Sequence, residues 1–107
     1  MTETIARIKL AAAAAYNVSL MDIDSRRRDA RTVEARWAAI WVARHLTPCT
    51  TVEIGKAMGD RDHSTVVWAL KNFDVEGNRQ ELAEMDEWLS RNTSTPTESD
   101  DYTKLND

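Results

Sequence analysis

An all-α bundle is the fold class this sequence predicts, and three observations predict it. Apolar residues return at three- and four-residue spacing through most of the chain. Two capping patterns, Thr50 with Glu53 and Asn78 with Glu81, open helical segments. No stretch alternates apolar and polar residues as a half-buried strand does. At 107 residues the chain is long enough for one small domain that holds together without disulfide or metal staples.

Ile5, Ile8, Ala12, Ala15 and Tyr16 recur at helical spacing among alanines of high helix propensity, which predicts a helix over residues 4–16. Ser19 is placed to cap a short turn through Leu20, Met21 and Ile23. Residues 24–31 have no apolar period and read as a loop. Val33, Trp37, Ile40, Trp41 and Leu46 mark a long amphipathic helix over 33–46 that stops near Pro48. The capping box at Thr50 opens a shorter helix, closed by Gly59. Val66, Ala69, Leu70 and Phe73 fall at i, i+3, i+4 and i+7, the buried stripe of a further helix. From Asn78, Leu82, Met85, Trp88 and Leu89 outline a terminal helix over 78–90 that packs back on the bundle. This places the domain at 1–91. Residues 92–107, polar, acidic and nearly free of apolar side chains, read as a disordered tail or a linker.

Between the shorter helix and the next runs Arg61-Asp62-His63-Ser64-Thr65-Val66, which packs charged, imidazole and hydroxyl groups into a first helical turn. A short helix, a tight turn and a helix opening on polar groups follow the pattern of a helix-turn-helix DNA-binding motif. Charge agrees once it is divided by segment. The chain carries −4 overall, but residues 1–25 carry −1, residues 26–72 carry +4 (nine basic, five acidic groups) and residues 73–107 carry −7. The basic excess lies where the motif lies, as attraction to phosphate requires.

The string Arg61 to Val66 resembles the signature of the C-terminal DNA-binding domain of the replication initiator DnaA, commonly Gly-Arg-Asp-His-Thr-Thr-Val. The resemblance covers roughly residues 16–73 and includes Ser25-Arg26-Arg27-Arg28, the 33–46 helix and Glu53-Ile54-Gly55. The sequence departs from the pattern at Asp60, where a second glycine is common, at Trp37, where a polar residue is usual, and at Trp68, where His is frequent. The resemblance implies a TrpR/DnaA domain IV-like fold and a set of roles. Asp62, His63 and Ser64 would read base edges in the major groove, where Asp62 can accept from a cytosine amino group. Arg28 would enter an A·T-rich minor groove. Arg26, Arg27, Arg36, Arg44, Arg61, Thr65 and Trp68 would contact the DNA backbone, Trp68 through its indole N–H. Each has a plainer reading. Asp62 or Ser64 can simply cap a helix, the three arginines can be a solvated cluster, Arg44 can be a surface charge, and Trp37 can be core rather than a DNA-facing group. Trp41, at a frequent family Tyr, is expected in the core.

Other functions find no support in the residues. His45, Cys49 and His63 are too few and too oddly spaced for a structural zinc site. No phosphate loop, nucleophile elbow or carboxylate pair stands out, so neither catalysis nor a cofactor is expected. A lone Cys49 forms no disulfide within the chain and suits a reducing compartment. The longest uncharged run, 10–21, falls short of the ~20 apolar residues of a membrane span, and no signal-peptide pattern opens the chain. The expected protein is cytoplasmic and nucleoid-associated. It binds specific double-stranded DNA without the family's nucleotide-binding module, as a transcriptional regulator of bacterial or phage origin. Two alternatives stand beside it: a replication modulator competing for the initiator's sites, and a protein-interaction adaptor that has lost DNA binding. RNA polymerase or another regulatory protein is the partner expected of the acidic C-terminal region.

Overall fold

Most helices of this chain begin at a residue that accepts the orphan N–H groups of the first turn. The computed structural model describes residues 2–91, with side chains from residue 4; the expected acidic tail, 92–107, lies outside the described residues. Six α-helices and one 3-10 turn follow in order: α1 (Thr2–Tyr16), α2 (Leu20–Asp24), α3 (Ala30–Leu46), α4 (Thr51–Ala57), α5 (His63–Asn72), the 3-10 turn Glu76–Asn78 and α6 (Arg79–Arg91). Among the described residues there is no strand. Ser19 caps α2 by accepting from the Asp22 N–H, and Thr50 and Glu53 close the reciprocal box at α4. α3 starts three residues before the apolar period begins, because Asp29 accepts from both the N–H and the hydroxyl of Thr32. α1 ends where Asn17 turns to φ 56° and the Val18 N–H bonds back to the Ala13 carbonyl, a six-residue closure that satisfies an end carbonyl.

The core runs along α3, which packs α1 on one side and α5, α4 and α2 on others, while α6 lies chiefly on α1. Ile5, Ile8, Ala11, Ala12 and Tyr16 meet Ala35, Ala38, Ala39, Ile40 and Ala43 in one buried cluster, joined by Ile23, Ile54, Met58, Val66, Ala69, Phe73 and Met85. Small side chains on both α1 and α3 line the contact between these two helices. This corrects the stripe expected of α3. Val33 and Trp37 are only half-buried and Leu46 is 59% exposed, so the buried face is carried by alanines and Ile40. Trp41 is half-buried against the core, stacked on His45 at 4.1 Å and tilted against Phe73 at 6.2 Å.

Asn78 does not open α6 as a capping side chain. It is buried, its amide donating to the Asp74 carbonyl at 2.8 Å and its oxygen accepting from the Tyr16 hydroxyl at 2.7 Å. The cap-like spacing to Glu81 is overridden because the fully buried tyrosine hydroxyl needs an acceptor. That bond ties α1 to the start of α6.

Tyr16→Phe should therefore leave a buried amide oxygen without its donor and cost about 1–3 kcal/mol, read as a fall of several degrees in Tm. Burial, then Glu81 and Glu34, push the Tyr16 phenol above its ordinary value. The unfolded chain ionises first, so this group's contribution is intact below about pH 10 and declines above it. An alkaline melting series should show the decline in the parent and not in the Phe variant.

Candidate nucleic-acid interface

The segment 25–29 between α2 and α3 carries Arg26, Arg27 and Arg28, and two other arginines hold it in place. Arg36, on the second turn of α3 and 6% exposed, donates from Nε to the Ile23 carbonyl at 2.8 Å and from Nη2 to Asp22 and Ser25 carbonyls at 3.1 and 3.0 Å. Its planar fork thus satisfies the open end of α2 and the first residue of the loop. Arg61 donates from Nη1 to the Met58 carbonyl at 2.7 Å and from Nη2 to that same Ser25 carbonyl. The Arg36 and Arg61 guanidiniums meet at one oxygen. Burial, then repulsion from Arg61, lowers the Arg36 pKa to about 10; burial, then Arg26, lowers that of Arg61. Arg36 stays charged near neutrality, and Lys9 braces the site from behind, pairing with Asp24 at 2.9 Å and donating to the Ala57 carbonyl at 2.7 Å.

The turn between α4 and α5 is shaped by two glycines. Gly59 adopts φ 81° and Asp60 φ 59°, and a side chain on Gly59 would run into the Asp24 carbonyl. Gly55, inside α4, accepts from the Arg61 N–H at 2.7 Å. A Cβ there would collide with the Arg61 carbonyl. The chain therefore folds back tightly on α4 before α5 departs. Asp62 is the N-cap of α5: its carboxylate accepts from the Ser64 N–H at 3.0 Å and from the Ser64 hydroxyl. Those two bonds, then His63, hold its pKa below the usual carboxylate range.

These elements enclose an open groove of about 990 Å³. The loop contributes Arg26 and Arg28, α3 contributes Val33, Arg36 and Trp37, the turn contributes Asp60, Arg61 and Asp62, and α5 contributes Ser64, Thr65 and Trp68. His63 lies over the crest of α5, lining a smaller depression with Val52, Lys56, Asp60, Arg61 and Asp62. Of the expected contact residues, eight share the large groove and His63 borders it. Arg27 turns away, paired with Asp29 at 2.9 Å and Asp22 at 3.6 Å. Arg44 stands exposed in the last turn of α3, outside both depressions.

Two expectations change. Arg36 is an internal clamp rather than a free phosphate ligand, because Nε and Nη2 are engaged by three carbonyls. Arg61 is likewise half-buried and engaged, so its first task is to hold the loop against the turn. The residues without a functional signal in the sequence are Lys56, near the end of the seven-residue α4, and Val33, whose helical spacing pointed to the core; Trp37, weighed as core or DNA-facing, lines the groove. Among the described residues no cluster of three or more His, Cys, Asp or Glu could hold a metal ion, and no helix is long and apolar enough to cross a membrane.

A turn-linked pair of short helices, a second helix opening on exposed polar groups and an adjoining basic loop define the helix-turn-helix class of DNA-binding domain. The chain belongs to the bacterial DnaA protein helix-turn-helix family, whose family model matches residues 5–72. It is similar to the chromosomal replication initiator protein DnaA of Bartonella quintana, 41% identical over 88 residues, 81% of this chain and 18% of that protein. The same-named proteins of Xanthobacter autotrophicus and Thermodesulfovibrio yellowstonii are 44% and 35% identical over 78 residues each, covering 71% and 73% of this chain and 15% and 18% of those proteins. The chain thus spans less than a fifth of the relatives it matches.

Arg36→Met should leave the Ile23 carbonyl without its donor and strip one of several donors from the Asp22 and Ser25 carbonyls, at a cost of roughly 1.5–3 kcal/mol, the range for a hydrogen bond to a charged group. Denaturant titration checks the stability, and faster amide exchange confined to 22–28 would mark release of the loop. For Asp62, whose folded pKa is lowered, the capping contribution is present above about pH 4 and lost as pH falls through the folded value. Asp62→Ser keeps a capping oxygen and should keep the neutral-pH Tm while removing this acid sensitivity.

Proposed function

We propose that this chain binds a specific double-stranded DNA site of the kind its initiator relatives use. The observation that supports the reading is the single groove joining the arginine loop to the first turn of α5. Cations that would follow the phosphates and short polar side chains that would meet base edges line one continuous surface. In this reading His63 and Ser64 touch base edges, with Asp62 combining its cap with acceptance from a cytosine amino group. Arg28 enters the neighbouring minor groove. Arg26, Arg27, Arg44, Thr65 and Lys56 contact the backbone. Arg27, itself exposed, can exchange its carboxylate partners for a phosphate at little cost, since surface ion pairs contribute only about 0–1 kcal/mol.

Occupation of such a site near a promoter would make the chain a transcriptional regulator. A second reading, a modulator that competes with an initiator for replication sites, is favoured by the relatives, which carry the name of chromosomal replication initiators at about 40% identity over the matched stretch. Recovery of bound genomic fragments separates them: enrichment at promoters supports the first, enrichment at clustered initiator sites the second. The exposed acids of α6, among them Glu84, Asp86 and Glu87, would serve a contact with a protein such as RNA polymerase.

His63→Ala should lose about 1–3 kcal/mol of preference for the selected site over scrambled DNA while scrambled binding changes little. Arg26→Ala should instead weaken both and flatten the salt dependence by about one unit of slope. Arg28→Ala should in addition relax the preference for an A·T-rich flank. Titrations at two salt concentrations on both duplexes measure all three; identical, sequence-blind losses would remove the base-reading roles of His63 and Arg28.

A further inference from the structure

Trp68 is the largest apolar side chain that the described fold leaves in solvent, 60% exposed. Burial does not account for it: α5 turns Val66 and Ala69 inward, with Phe73 buried just past its end, and Trp68 is left exposed. It follows Thr65 by three residues and Ser64 by four, so it stands on their face of the helix, and all three line the large groove. Val33 and Trp37, half-buried on α3, line it too. An apolar wall therefore stands within a groove whose loop side is cationic.

In the major groove a duplex offers one apolar group, the 5-methyl of thymine. We infer that Trp68, with Trp37 and Val33 lining the same groove from α3, is a specificity-determining residue that selects thymine through this methyl, in place of the indole-to-phosphate contact implied by the family resemblance. A single N–H donor needs no apolar surroundings, and phosphate contact would leave the wall wet. A methyl seated against the indole removes both surfaces from water. The inference rests on the duplex-binding reading above and adds a base preference to it.

The test uses the full 107-residue chain and duplexes of its selected site in which each thymine is replaced, one at a time, by deoxyuridine, which removes the methyl and nothing else. The parent should lose affinity about fourfold at one or two positions, equivalent to the ~0.8 kcal/mol of one methyl-sized group. Trp68→Ala and Trp68→His should bind thymine and uracil duplexes alike at those positions, with Tm unchanged because the side chain is exposed. The same thymine-to-uracil ratio in parent and variants would overturn the methyl contact while duplex recognition stands. An equal loss on every duplex in Trp68→Ala would likewise overturn it, returning Trp68 to the phosphate. If the parent does not distinguish the selected site from scrambled DNA, the underlying reading falls and this one with it.

Discussion

The carbonyl oxygen of Ser25 is the point on which the functional face depends. It accepts from Arg36 on α3 and from Arg61 in the turn before α5, so one atom fixes the loop, the long helix and the turn relative to each other. Guanidinium is suited to this. It is planar and always charged, and its fork reaches several acceptors at once. Without the pair, the Ile23 carbonyl near the end of α2 would lose its donor, and the loop would lose both bonds through Ser25 that set its arginines relative to Ser64 and Thr65. The position of the loop is set by two side chains that the sequence alone assigned to the DNA backbone.

Gathering cations this closely has a cost in repulsion and desolvation, seen in the lowered pKa values of Arg36 and Arg61. The chain offsets it with carboxylates placed at the margins. Asp24 pairs with Lys9 below the loop, Asp29 caps α3 while holding Arg27, and Asp62 caps α5. One oxygen of Asp24 is buried without a hydrogen-bond partner among the described residues, and its charge lies in the field of Arg36 and Arg61. The acids therefore serve the scaffold locally even though the basic face has a net positive charge.

Features set by neighbours in sequence were legible beforehand. The Thr50–Glu53 box, the Ser19 cap, the stop at Gly59 and the Val66–Ala69–Phe73 stripe each involve residues within a few positions, and each is present in the fold. What escaped depended on partners far along the chain. Arg36 looks like a phosphate ligand until α2 is folded against it, 11 to 14 residues away. Asn78 looks like a cap until Tyr16, 62 residues earlier, supplies a hydroxyl. Val33 and Trp37 have the spacing of core residues, but the face of α3 that meets α1 and the other helices is carried chiefly by alanines with Ile40 and Val42. The Asp29 cap was local and could have been read; the lack of apolar period through 24–31 concealed it.

Every acceptor used by the two clamping arginines belongs to the main chain: Asp22, Ile23, Ser25 and Met58 contribute carbonyls, not side chains. The support that the clamping arginines give is therefore independent of the side chains at positions 26–28, while Ser25 and Asp29 keep their own side-chain bonds on either side. Mutation can rewrite positions 26–28 without dismantling the support beneath them, so a lineage could drift toward a new target in small steps, each intermediate still folded.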